Sequence, residues 1–168
     1  AFQRGYFLTA FALALDRAKK GDTAAQTLLG ELQSRGLGVK QDLPAAADWY
    51  RLAADHGDPE ALYALGRFYL DGRGVKQDLA KAAELLEKAG RKGDAVALLE
   101  KAVASRPGDA DLNTALARLY VRTGDPAKAE AVLTSRLQVE PKDSQVRSAL
   151  ASLYLEQSND RDEVLRAA

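Results

Sequence analysis

Residues 36–42 read GLGVKQD, and residues 72–78 read GRGVKQD. Six of the seven letters return after 36 residues, a spacing far longer than any helix or strand period. Working outward, Gly-Asp falls at 21–22, 57–58 and 93–94, again 36 apart. Ala25, Leu29 and Gly30 align with Ala61, Leu65 and Gly66, and Trp49, Ala53 and Gly57 align with Leu85, Ala89 and Gly93. Self-similarity at a fixed period of this length signals stacked structural units.

Each copy is punctuated as two helices. Asp58 is an N-cap, followed by Pro59 at the first helical position, where a missing N–H costs nothing. Gly72 suits the left-handed residue that closes a helix, Gly74 lets the loop turn, and Val75 drops an apolar group back onto the pair. Asp78 then caps the next helix. Asp22, Gly36, Gly38, Val39 and Asp42 repeat the scheme, with Pro44 early in the second helix. The heptad is therefore a helix–helix connector. Gly30 and Gly66 fall mid-helix, where glycine costs about 0.5–1 kcal/mol relative to alanine. That cost predicts another helix crossing close to each, with Ala53 and Ala54 making a similar near contact.

The motifs A-x-x-x-L-G, G-x-G-V-x-x-D and W-x-x-x-A-A-x-x-G resemble the Sel1-like repeat, a relative of the tetratricopeptide repeat with a longer loop. The resemblance covers about residues 6–93. Residues 6–22 resemble only the second half of a unit, with Leu13, Ala18 and Gly21 standing where Trp49, Ala54 and Gly57 stand later. Leu85 and Gly90 depart from the pattern, which prefers an aromatic and an alanine there.

After residue 94 the period changes to 34. ALARLY at 115–120 recurs as ALASLY at 149–154, and Pro107 recurs as Pro141. Leu116, Ala117, Tyr120, Gly124, Ala129, Leu133 and Pro141 resemble the tetratricopeptide repeat proper, while Asn113 and Arg136 depart from it. Ala82, Ala83, Leu86 and Gly90 stand 34 residues before Leu116, Ala117, Tyr120 and Gly124. Helix 79–90 is thus expected to close one unit and open the next. The expected organisation is Sel1-like repeats over 1–93 (a half unit plus two units) and tetratricopeptide repeats over 79–168, in one continuous solenoid. The rival is a junction or a gap in the sequence near residues 90–94, where the run GRKG stands.

Ten helices are expected, at 6–20, 23–35, 43–56, 59–71, 79–91, 94–105, 109–123, 126–139, 143–157 and 160–167. No segment alternates with period two, so no sheet is expected. The resemblance implies an all-α fold, a right-handed α-solenoid of stacked antiparallel helix pairs.

Lys plus Arg and Asp plus Glu each number 24, so the formal charge is zero. A nucleic-acid binder or a membrane-surface binder leaves an electrostatic footprint that this balance lacks. Without cysteine there is neither disulfide nor thiolate metal site. No apolar run approaches the ~20 residues that span a bilayer, and no signal peptide opens the chain. Absence of methionine and a start at Ala1 predict a piece of something larger, which leaves the compartment open.

Candidate chemistry is sparse. His56, the one histidine, sits at a helix end where an imidazole usually meets the dipole. The GLGV and GRGV loops follow helices and lack GK[ST], so they are structural rather than phosphate cradles. Asp-x-Asp at 109–111 and 160–162 lacks the glycine and distal glutamate of a calcium loop. Serines have no histidine partner. Trp49 stands where the repeat wants a core aromatic, with Tyr50 beside it as the second candidate for that role. No cofactor or metal is indicated.

What remains is surface. First helices of such pairs line the concave side. The i, i+4, i+7 stripe away from the packing residues contains Thr27, Glu31 and Ser34; Tyr63, Arg67 and Leu70; Ala80, Glu84 and Glu87; Thr114, Arg118 and Val121; and Ser148, Ser152 and Leu155. Tyr63 and Arg67 are the best anchors, since such residues dominate hot spots. The Lys/Asn arrangement with which some tetratricopeptide domains clamp a carboxylate is absent. The expected function is a non-catalytic scaffold or adaptor that binds a protein or peptide partner. Resemblance to bacterial Sel1-like proteins implies export, with the periplasm favoured, and assembly of envelope or signalling complexes. One rival is a regulatory repeat module of a larger enzyme; another is an enzyme acting through Asp/Glu pairs in the groove. Phe2, Phe7 and Phe11 predict an exposed apolar edge at the N-terminal helix. Upstream sequence, a partner, or a second copy in self-association would cover it.

Overall fold

The computed structural model describes the backbone of residues 2–167 and the side chains of residues 5–158. Among the described residues there are helices and no strand. They are α1 (Phe2–Lys19), α2 (Thr23–Arg35), α3 (Leu43–Asp55), α4 (Pro59–Asp71), α5 (Leu79–Lys88), α6 (Lys92–Ser105), α7 (Ala110–Arg122), α8 (Pro126–Val139) and α9 (Ser144–Ala167). Two compact units result, residues 1–95 and 96–168.

Aspartates start most of the helices. The carboxylates of Asp22, Asp42, Asp58 and Asp78 accept the N–H of the residue three ahead at 2.9, 3.0, 2.7 and 2.9 Å. Asp109, Asp125 and Asp143 do the same for α7, α8 and α9. Each satisfies an N–H that a bare helix start would leave orphaned.

The repeated heptad has a job for nearly every letter. Gly36 and Gly72 close α2 and α4 in the left-handed conformation. The side-chain amides of Gln41 and Gln77 each donate at 2.8 Å to a carbonyl in the last turn of the preceding helix, at Ser34 and Leu70. Val75 packs against the unit's core, while Asp42 caps α3 and Asp78 caps α5. Gly38 and Gly74, at φ +76° and +67°, lie against the backbone of an earlier helix. A methyl on Gly38 would come 2.6 Å from the Leu8 nitrogen, and one on Gly74 would collide with the Leu43 carbonyl. Phe7–Leu8 and Leu43–Pro44 are 36 residues apart, so α1 receives the α2–α3 connector as α3 receives the α4–α5 connector.

In the first unit α2 packs on α1 and α3, and α4 on α3 and α5. One core gathers Ala46, Ala47, Tyr50, Ala53, Ala61, Leu62, Leu65, Phe68 and Leu85; another gathers Ala14, Ala18, Ala25 and Leu29. Tyr50 lies edge-on to Phe68, with ring centroids 5.5 Å apart. The close crossing expected at Gly30 is made by that same Tyr50 ring, which stands 2.6 Å from where a Cβ would be. At Gly66 the neighbours are the Ala82 carbonyl and Leu85. Tyr50 is thus the deeply buried aromatic, while half-buried Trp49 packs at the edge of the α1–α2 core. A step of 100° between consecutive residues sends the two rings to different neighbours.

In the second unit α7 packs on α8 and α9, and α8 on α9, around Leu112, Leu116, Leu119, Leu133, Val146 and Leu153. Two tyrosine latches tie successive hairpins. Tyr120 Oη donates to Glu100 and Tyr154 Oη to Glu130, both at 2.6 Å.

Two expectations need correction. The break expected between 157 and 160 is absent, and α9 runs through it. Gln-Ser-Asn-Asp there lowers helix propensity but holds no glycine or proline to stop the helix. At the N-terminal edge, Phe7 and Phe11 are half-buried, and Phe11 packs on the core of Ala14, Ala18, Ala25 and Leu29. Positions 7, 11, 14 and 18 share one helical face, and that face is turned inward. Among the described residues, the large apolar side chains that α1 exposes are Tyr6, Leu8 and Leu13. The side chain of Phe2 lies outside the described residues.

Candidate functional site

In the first unit the stripes on α2 and α4 meet in a groove of about 340 Å³. Thr27, Glu31, Ser34, Tyr63 and Arg67 all line it, above Tyr50 and Phe68. Much of this surface is already occupied within the molecule. Glu31 pairs with Arg35 at 2.7 Å, and the Ser34 hydroxyl donates to the Glu31 carbonyl at 2.9 Å. Thr27 Oγ1 donates to Asp58 at 3.2 Å, and the Arg73 guanidinium stacks 5.2 Å over Phe68. The Arg91 guanidinium lies 4.3 Å from the Tyr63 ring centroid, covering one face of that anchor. Arg67 is exposed. Burial raises the Tyr50 phenol above its ordinary pKa, so it stays a neutral hydrogen-bonding group at the groove floor.

The second unit holds a larger groove, about 530 Å³, between α7, α8 and α9. Thr114, Arg118 and Val121 on α7 face Ser148 and Ser152 on α9. Ala117, Ala129, Leu133 and Leu153 form an apolar floor; Arg122, Gln145 and Glu156 complete the rim. Thr114 is buried with its hydroxyl donated to the Ala110 carbonyl at 2.7 Å, so it shapes the floor. Arg118, Ser148 and Ser152 are exposed and present donors to the groove. Gln145 is held by an amide hydrogen bond to Asp111 at 2.7 Å.

Five stripe residues, Leu70, Ala80, Glu84, Glu87 and Leu155, line neither groove. Glu84 pairs with Lys88 at 2.6 Å and lines a groove with Arg51, Asp55 and Tyr69, on the side of α3 and α5. Within its unit α5 is a second helix, so its stripe follows α3 rather than α2 and α4. Half-buried Leu70 is not among the residues of the Arg67 groove, nor is Glu87.

His56 is exposed, its Nδ1 donating to the Leu52 carbonyl at 2.8 Å as a helix-end contact. Among the described residues, no group of three His, Cys, Asp or Glu side chains is placed to hold a metal ion. No described helix is long and apolar enough to cross a membrane. The Gln41 and Gln77 amides and the tyrosine latches were not foreseen. Recurrence of glutamine in the heptad was the one visible signal for the former.

Helix hairpins that repeat at fixed register, joined by a repeated capped connector, define an all-α helical repeat of the solenoid class. Within that class, the Sel1 repeat model matches residues 23–58 and 59–94, and a tetratricopeptide repeat model matches residues 88–153. The chain carries two Sel1 repeats that continue into tetratricopeptide repeat sequence. Among solved structures it is similar to a Sel1 repeat protein from Oxalobacter formigenes. Identity is 27% and the TM-score 0.49, over 87% of this chain and 49% of that one. It is also similar to a protective antigen of uropathogenic Escherichia coli strains that displays an SLR fold. There identity is 23% and the TM-score 0.47, over 92% of this chain and 42% of that one. The chain therefore spans half or less of the length of these proteins. Comparison with curated proteins gives no match.

Proposed function

We propose that the chain is a non-catalytic scaffold or adaptor that holds a protein or peptide partner in its helical grooves. The observation that carries this is the α7–α9 groove. Two successive first helices present an apolar floor flanked by exposed hydroxyls and the Arg118 guanidinium, the mixture that peptide recognition uses. Two carboxyl shifts fit the non-catalytic reading. Asp22 is lowered by the Ala25 N–H and by Arg17, and Asp125 by Lys128, whereas a carboxylic acid serving as proton donor near neutrality needs a raised pKa. Placement in a bacterial envelope or signalling assembly, with export to the periplasm, belongs to this proposal and rests on the family resemblance. So does the sharing of α5 between the two repeat types, which rests on the 34-residue register of Ala82, Ala83 and Leu86 with Leu116, Ala117 and Tyr120.

Selection of peptides from a random display library on the full chain tests the groove. Ser152→Trp fills it and Arg118→Glu reverses its charge, and both positions are exposed, so the fold is retained. Selected peptides should bind each variant at least tenfold more weakly than the parent. Peptides indifferent to both changes would place recognition elsewhere.

A further inference from the structure

The groove between α2 and α4 is polarised along its length. Glu60 lines it at the start of α4, and Arg67 follows on the same face, about 10 Å further along at the helical rise. Arg35, in the last turn of α2, and Arg73, in the connector after α4, also line it. Their charges are not equally committed. Arg35 is neutralised by Glu31 at 2.7 Å. Arg67 holds the register position of Glu31, 36 residues on, with Asp71 four residues ahead. Even so, among the described residues neither Arg67 nor Arg73 forms an ion pair. The Arg73 guanidinium lies 5.2 Å over the Phe68 ring centroid. Stacking of this kind fixes a guanidinium and leaves its edge N–H groups to donate to a carboxylate. Arg91, stacked on Tyr63, is by contrast already paired with Asp94 at 2.6 Å. The groove floor adds one more donor. Tyr50 is 6% exposed, and the Ser34 hydroxyl spends its proton on the Glu31 carbonyl. The Tyr50 hydroxyl therefore donates to Ser34 Oγ, but across 3.5 Å, against about 2.7 Å for a good bond between hydroxyls. A buried hydroxyl held so loosely gains from a better acceptor.

We propose that the α2–α4 groove takes an acidic segment of the peptide partner, its side-chain carboxylates received by Arg67 and Arg73 and a neighbouring apolar residue laid against Tyr50 and Phe68. This names the partner's chemistry at one groove and rests on the peptide-binding reading above. Two unpaired guanidiniums from separate elements, one on α4 and one on its connector, suit two carboxylates better than a single terminal one. Glu60 repels carboxylates at the other end, so the segment is oriented. Its acidic residues meet the arginines, and its neutral or basic part runs towards Glu60. The groove is not a face that a further repeat would cover. α2 already has α1 and α3 packed on it, and α4 has α3 and α5, so a repeat stacked before α1 would lengthen this surface and leave it open.

The test selects random peptides on the full chain with the α7–α9 groove filled by Ser152→Trp. The displayed peptides are fused at their C-termini, so only side chains supply carboxylates. Recovered peptides should carry Asp and Glu at least twice as often as the input library. Synthesised with a fluorescent label and an amidated C-terminus, they should bind at least tenfold more weakly, by anisotropy, when Arg67→Glu and Arg73→Gln are combined. Replacing their own acidic residues by Asn and Gln should weaken them equally, while Arg67→Lys should keep most of the binding. Both arginines are exposed, so circular dichroism and melting temperature should stay close to the parent's, which separates lost binding from lost folding. Peptides without acidic enrichment, or indifferent to the arginine changes, overturn the proposal. Recovery on the parent chain but none on Ser152→Trp overturns it too and leaves the α7–α9 reading standing. Recovery on neither chain removes both.

Discussion

At Gly30 two preferences oppose each other. Alanine in a helix interior is better than glycine by about 1 kcal/mol. Yet a Cβ there would stand 2.6 Å from the Tyr50 ring, which is 6% exposed and held against Phe68. A buried ring so confined has no room to withdraw, and overpacking of this kind costs about 1–3 kcal/mol. Gly30→Ala should therefore lower the urea midpoint. In a Tyr50→Leu background the same change should cost less, because the ring it strikes is gone. Additive effects in that double-mutant cycle would contradict the account. Tyr120 offers a pH-dependent counterpart. Burial foremost, then the hydrogen bond to Glu100, pushes its phenol from 10.0 up to about 12. A proton held more tightly in the folded state stabilises it fully below pH 10, and the benefit is lost as pH rises through about 12. Stability should thus fall between pH 9 and 11.5 more steeply in the parent than in Tyr120→Phe. Tyr50 and Tyr154, also raised, titrate in both proteins and cancel in the comparison.

At the scale of the element, the connector separates what letters reveal from what they hide. Its glycines and aspartates were legible because cap chemistry is local: a left-handed residue, then a carboxylate three residues before the N–H it accepts. The glutamine amides were not, since a donor reaching back seven residues has no period of its own. The backbone contact at Gly74 was hidden for a stronger reason, its partner Leu43 lying 31 residues away. These differences predict graded costs. Gln77→Ala removes one hydrogen bond to an exposed-end carbonyl and should cost about 0.5–1.5 kcal/mol. Gly74→Ala forces a positive-φ alanine into the Leu43 carbonyl, so strain and collision combine. Its midpoint in urea should drop at least twice as far. Equal losses for the two would mean the connector is less tightly seated than its geometry requires. The same locality explains the false break before residue 160. Polar composition suggested an end, but no glycine or proline stands there to stop the helix.

Across the molecule, the repeat register carried more than composition did. Stripes taken at i, i+4, i+7 on first helices brought Thr27, Glu31, Ser34, Tyr63 and Arg67 to one groove and Thr114, Arg118, Ser148 and Ser152 to another, because equivalent helices repeat one orientation. The rule misplaced Glu84, whose helix α5 is a second helix in its own unit. The tyrosine latches escaped it as well, since each joins residues 20 or 24 apart and matches no period. The proposed double use of α5 can be tested through the single tryptophan. Trp49 packs beside Leu29 and reports on the first unit alone. Leu133 on α8 is 1% exposed, and Leu133→Ala should cost about 2–5 kcal/mol by leaving a cavity. In a repeat array whose neighbours share an element, stability passes between them in nearest-neighbour fashion. Leu133→Ala should therefore lower the urea midpoint followed by circular dichroism and, by a smaller amount, the midpoint followed by Trp49 fluorescence. A fluorescence midpoint that does not move would mean the two repeat types fold as separate cooperative units, and the shared role for α5 would be withdrawn.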